Sequence, residues 1–207
     1  MKIVGLTGGI ASGKNFVSEV FAKNGAAVFD ADQEVHKLLE SDKTTFSAIK
    51  KSFPQVMINK KIDRKILGKI VFADDKKLKI LEKIIHPIVR KKYLEFLRVI
   101  TKEDKKIAVL NVPLLLETHG YKCDYVIAII VKKSEQKKRF LERAKKNNPQ
   151  NFAAEKKNLE KRFQQIAAKQ LSNSERKKMA DFTLDNLSKA QIAKKVKDLM
   201  KNFAAEL

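Results

Sequence analysis

Gly8, Gly13 and Lys14 carry the spacing G-x-x-x-x-G-K, and that spacing suits one task, wrapping a polyphosphate. Glycines let the backbone curl until successive N–H groups point inward, and a helix starting there adds the positive end of its dipole. Lys14 adds a point charge for the outer phosphates. In such loops the next residue is a Ser or Thr whose hydroxyl ligates magnesium; here it is Asn15, whose amide oxygen can ligate the metal directly or through a water. Asp30 and Asp32 form a second group. A carboxylate beside a sugar hydroxyl can accept its proton or orient it toward a phosphate. Alternate residues of an extended segment face the same way, so both can serve one cleft; the competing reading is that one of them caps a helix beginning near Gln33. Arg139 and Arg143, four apart, share a helix face. Arginines on a closing segment stabilise a transferring phosphate, and a solvated basic face with Lys137, Lys138, Lys145 and Lys146 accounts for them equally well.

The remaining chemistry-bearing residues point elsewhere less strongly. His36, His86 and His119 are isolated, and a lone histidine is by default a structural residue or, beside Pro87, a helix terminator. No Cys/His cluster has zinc spacing, and no nucleophile–base pair stands out.

The elements that must position these groups alternate. Ile3 to Thr7 reads as a buried strand, the glycine loop follows, and a helix with Phe16, Val17, Val20 and Phe21 on one side runs to about Lys23, stopped by Asn24-Gly25. Ala26 to Phe29 is a second strand. Strand, helix, strand opens a parallel α/β sheet, in which ligands bind beyond the carboxyl ends of the strands. From Gln33 to about Lys105 no strand is expected. Helices are, over Val35–Leu39, over Phe46–Phe53, after an Asp63 N-cap, over Leu78–Ile85 ending before Pro87, and over Ile88–Ile100. Such an insertion often supplies a second wall to a cleft. Strands return at Ile107–Val112, at the apolar run Asp124–Val131, and at Ala180–Asn186. Ser134 is expected to cap a helix, Lys145 to Lys161 is a charged, mostly helical excursion continued by Ile166 to Gln170, and a Ser188/Gln191 capping box opens a closing helix with Ile192, Val196, Leu199, Met200 and Phe203 on one face.

Composition narrows the function classes. The 207 residues suffice for one sizeable domain with inserted subdomains, and a hydrophobic share of 43% is ordinary for a globular protein. One cysteine, Cys123, excludes an internal disulfide framework and fits the cytoplasm. No apolar run of about 18 residues exists, so no membrane span is expected, and with a strand beginning at once no signal peptide is expected either. A net charge of +21 would suit nucleic acid. The lysines are spread along the chain without interleaved aromatic motifs, so a nucleic-acid partner is not expected.

Taken together, Thr7 to Lys14, Asp30-Ala31-Asp32 with His36, Asp63-Arg64 with Leu67, Leu81-Glu82 with Ile85-His86-Pro87, Val112-Pro113-Leu114-Leu115 with Glu117, Asp124-Tyr125-Val126, Arg139 with Arg143, Gln170, Arg176, and Ala180-Asp181 with Asp185-Asn186 resemble the dephospho-coenzyme A kinase family from residue 2 to about 200. The resemblance implies an α/β P-loop core with a parallel sheet, a helical substrate domain and a helical lid: 1–33, 105–140 and 178–207 as core, 34–104 as substrate domain, 141–177 as lid. It implies ATP and Mg2+ as cofactors and phosphorylation of the ribose 3′-hydroxyl of dephospho-CoA in the cytoplasm. By position, Asp32 is similar to the family's catalytic base, with Lys14 and Arg139 also catalytic. Gly9, Ala11, Ser12, Gly13, Lys14, Asn15, Phe16 and Arg143 would bind ATP, Asn15 would meet the metal, and Thr7, Asp32, His86 and Glu117 would lie on the substrate side. Two residues depart from the pattern: Asn15 replaces the usual Ser or Thr, and Ala11 the usual glycine. A monomer is expected. The rivals are another small P-loop kinase of nucleotides or metabolites and a basic nucleic-acid-binding protein.

Overall fold

The computed structural model describes residues 1–118 and 120–206; His119 lies outside the described residues. The chain divides into two compact units, Met1–Phe29 with Ile100–Leu207, and Asp30–Val99.

The first unit is built on a five-stranded sheet. Its strands are β1 (Lys2–Gly8), β2 (Ala27–Asp30), β5 (Ile107–Asn111), β6 (Tyr125–Ile130) and β7 (Phe182–Asp185), in the order β2-β5-β1-β6-β7. β1 is the central strand, buried from Val4 to Gly8. It pairs in parallel with β5 (Ile107–Asn111), Leu6 opposite Asn111, and with β6 (Tyr125–Ile130), Gly8 opposite Ile129. β6 in turn pairs in parallel with β7 (Phe182–Asp185). On one face Val4, Leu6, Val109, Ile127, Ile129 and Leu184 pack against α1 (Lys14–Lys23), through Val17 and Phe21, and against α10 (Lys189–Ala205), through Val196, Leu199 and Phe203. The opposite face carries the short α6 (Leu115–Thr118) and α9 (Asn173–Met179). Between them run α7 (Lys133–Asn147) and α8 (Phe152–Ala168), paired by the Phe140 and Phe163 rings at 5.7 Å and by a Lys137–Glu160 ion pair at 3.2 Å. The Ser188/Gln191 capping box is present on α10. α7 starts differently from expectation: its N-cap is Lys132, without a side-chain bond, and Ser134 falls inside the first turn. Ile107–Asn111 and Tyr125–Ile130 are strands as expected.

The second unit is helical, with α2 (Ala31–Ser41), α3 (Lys43–Ser52), α4 (Arg64–Ala73) and α5 (Asp75–Lys102) around Leu38, Ile49, Phe53, Val56, Leu67, Val71, Ile85, Val89 and Tyr93. Asp63 caps α4, accepting from the Lys65 and Ile66 N–H groups. Two expectations fail here. A hairpin, β3 (Met57–Ile58) with β4 (Lys61–Ile62), interrupts the helices. Its two-residue turn holds Asn59 and Lys60 at φ +47° and +61°, the both-positive geometry of a type I′ turn, without the glycine that usually announces one. The second concerns Pro87, which does not end a helix: α5 runs through it. A proline removes one backbone bond, and here the recurring burial of Ile85, Val89 and Tyr93 on either side outweighs that loss. Among the described residues no helix is long and apolar enough to cross a membrane.

Close approach of α6 to the sheet depends on Gly5. A Cβ there would lie 2.4 Å from Leu115 Cδ2 and 2.8 Å from Cys123 Sγ. Gly5→Ala is expected to cost about 1–3 kcal/mol of stability by overpacking, read as a lowered midpoint in urea unfolding.

Candidate phosphate-binding site

β1 ends at Gly8 and the chain turns at once. Ser12 N–H donates to Gly9 O at 3.1 Å, Ala11 sits at φ +56° and Gly13 at φ +98°. Gly13 is then the N-cap of α1. Glycine brings no capping side chain, so the first-turn N–H groups are of the kind a bound anion satisfies. Gly13 suits its left-handed φ without cost. Ala11 does not: a β-carbon in that region costs on the order of 1 kcal/mol. A methyl is the smallest side chain that can be held there.

The side chains around the loop come from distant parts of the chain. Lys14 folds back, its Nζ donating to Gly8 O at 2.8 Å. From α7, Arg139 Nη1 donates to Ser12 O at 3.5 Å while its Nε donates to Glu135 Oε1 at 2.9 Å. Gln136, buried one turn earlier, lies so close that a Cβ on Gly9 would come within 2.6 Å of its Nε2. From the linker between α8 and α9, Gln170 Oε1 accepts the Ile10 N–H at 2.8 Å. The loop's own Lys14, one cation from α7 and two amides thus define the turn.

Below the loop lies a buried charge. Arg176, on α9, is 1% exposed. Its Nη1 donates to Thr7 Oγ1 on β1 and its Nη2 to Glu117 Oε1 on α6 at 2.8 Å; the same oxygen accepts the Leu171 N–H at 3.1 Å. Glu117 Oε2 and Arg176 Nε are buried without a hydrogen-bond partner among the described residues. Thr7 is itself buried, so Thr7 and Glu117 are both committed to Arg176.

The other expected residues fall as follows. Asn15 Oδ1 accepts from Asn111 Nδ2 at 3.1 Å. Phe16 is half-buried with Lys189 Nζ over its ring at 5.4 Å. Arg143 is exposed one turn beyond Arg139 on α7. Asp30 and Asp32 do not share an extended segment: α2 begins at Ala31, two residues earlier than expected. Asp30 is its N-cap, accepting the Gln33 N–H at 3.0 Å, and Asp32 is exposed in the first turn. A carboxylate at the strand end finds helix N–H groups and takes the capping role. His86 is exposed within α5, and Asp32 and His86 belong to the second unit. Cys123 is no nucleophile, because burial, with Asp124 and Asp181 adding to it, pushes its thiol up to about 11.

Gln136 and Asn111 were missed by the sequence reading, and Arg176 and Gln170 carried no role in it. Gln136 had a signal, since it lies three residues before Arg139 on one helix face. So did Asn111, the lone polar residue ending a buried apolar strand.

The family model described as dephospho-CoA kinase matches residues 2–191. The chain is 38% identical over 208 residues to the dephospho-CoA kinase of Bartonella henselae, covering 98% of this chain and 100% of that one. It is 40% identical over 200 residues to that of Wolbachia pipientis, covering 96% of each. The solved dephospho-CoA kinase from Campylobacter jejuni is similar with a TM-score of 0.61 at 29% identity, over 98% of this chain and 97% of that one.

Arg176→Ala leaves Glu117 buried and uncompensated, and breaking such a pair typically costs about 3–5 kcal/mol. Denaturant unfolding is expected to show a loss of that size, with most of it recovered when Glu117→Gln is added.

Proposed function

The chain belongs to the dephospho-CoA kinase family, and on that premise we propose which of its residues carry the ATP-dependent phosphorylation of dephospho-CoA to CoA. The loop from Gly8 to Asn15 holds the triphosphate by its N–H groups and the α1 dipole. Lys14 exchanges the Gly8 carbonyl for the outer phosphate oxygens. Arg139 stabilises charge on the phosphoryl group in flight, with Arg143 joining it from the next turn of α7. Asp32 accepts the proton of the attacking ribose 3′-hydroxyl as its oxygen bonds to the γ-phosphorus and the bond to the ADP oxygen breaks. His86 lies on the substrate side. Thr7 and Glu117 act as positioning residues through Arg176.

The observation that supports this division most directly is the convergence of Lys14 and Arg139, from α1 and α7, on the carbonyls of one glycine turn. Preorganised charge at the place where charge develops is usually the largest single catalytic contribution.

Magnesium accompanies ATP in P-loop kinases, but the residues after Lys14 do not fit a protein-held magnesium. Asn15 presents a carboxamide where a hydroxyl is usual, and its Oδ1 already accepts from Asn111 Nδ2.

ADP release, followed with and without dephospho-CoA, AMP, CMP and shikimate, tests the reading; release is expected with dephospho-CoA, and equal release with AMP or CMP would overturn the acceptor. Asp32→Asn is expected to lower kcat at least about 100-fold with ATP affinity kept. Turnover surviving within a fewfold would remove Asp32 from the chemistry.

A further inference from the structure

P-loop enzymes keep two magnesium ligands in fixed places: the Ser or Thr hydroxyl after the loop lysine, and an Asp carboxylate from a neighbouring strand. Both places are filled differently here. The residue after Lys14 is Asn15. On one side of β1 lies β5, which ends at Asn111, opposite Leu6 in register and 4% exposed. Asn111 Nδ2 donates to Asn15 Oδ1 at 3.1 Å. Two carboxamides have replaced the hydroxyl and the carboxylate, and they are bonded to each other.

The chemistry of that pair is unlike that of a cation seat. Two facing carboxamides spend one oxygen and one NH2 on their bond, whichever way each is turned. The pair carries no net charge, and its NH2 directs positive charge at the oxygen a metal would need. Magnesium gives up water reluctantly and is usually held through one or two carboxylates together with substrate phosphates. Meanwhile two cationic side chains, Lys14 and Arg139, already reach the loop.

We infer that the Asn15–Asn111 amide pair is a neutral replacement for the protein's magnesium seat, so that the loop grips the triphosphate by its own cations and N–H groups and divalent metal enters only as a passenger on the nucleotide. This rests on the reading of the loop as the ATP site. Its consequence is that ATP affinity barely depends on magnesium, in contrast to a site in which the protein itself ligates the metal.

Calorimetric titration of the full chain with ATP, in excess magnesium and again in EDTA, tests this without any turnover. The two dissociation constants are expected to agree within about fivefold, that is about 1 kcal/mol; a larger preference for the magnesium complex overturns the inference. Absence of ATP binding in both buffers would instead overturn the phosphate-loop reading on which it rests. Asn15→Ser combined with Asn111→Asp restores the hydroxyl and the carboxylate, and the magnesium preference is expected to rise at least about tenfold. The carboxylate introduced there would be buried, so Asn15→Ser alone, with its unfolding midpoint checked, serves as the second variant and is expected to raise the preference about threefold. A folded variant that keeps the wild-type ratio shows that the pair does not set metal dependence, and the inference fails.

Discussion

A guanidinium taken out of water must be answered at once, and Arg176 is answered by residues from two other elements. Its partners are Thr7, at the end of β1, and Glu117, on α6, while Arg176 itself stands on α9. Breaking one side of such a pair leaves a charge buried without compensation, which is why the three elements cannot drift independently. Thr7 is the last residue but one of the strand that delivers the loop. Glu117 also accepts the Leu171 N–H, one residue after Gln170, whose own oxygen holds the Ile10 N–H. The buried charge therefore sets the strand end on one side of the loop and the linker that braces it on the other.

Much of this was legible in the sequence, and the boundary between what was and was not is physical. The glycine spacing, the Asp63 cap and the Ser188/Gln191 box are local, each decided by residues within about one helical turn, and each stands where its pattern placed it. The failures came where packing overrode a local rule. Pro87 reads as a stop, yet burial of Ile85, Val89 and Tyr93 carries α5 past it. Asn59-Lys60 lacks glycine, yet turns the β3–β4 hairpin. Asp30 and Asp32 looked alike on an extended segment, and the helix starting at Ala31 separated a cap from an exposed carboxylate. Gln170 meets Ile10 from 160 positions away, and no periodicity carries that information.

The loop itself shows what the long-range contacts achieve. Ala11 occupies a left-handed conformation at φ +56° that a residue with a β-carbon adopts only at a cost. Strained backbone persists only when its surroundings over-determine it. Here the residues around Ala11 are each held from outside: Gly9 lies against Gln136, Ile10 donates to Gln170, and Ser12 O accepts from Arg139. Three anchors from α7 and the α8–α9 linker leave the turn little freedom to relax. A cradle already curled before the nucleotide arrives spends less binding free energy on ordering itself, so more of it remains for orienting the phosphate to be transferred. On this view the charged segment between β6 and β7, the least patterned part of the sequence, contributes the rigidity of the glycine loop as well as its second cation.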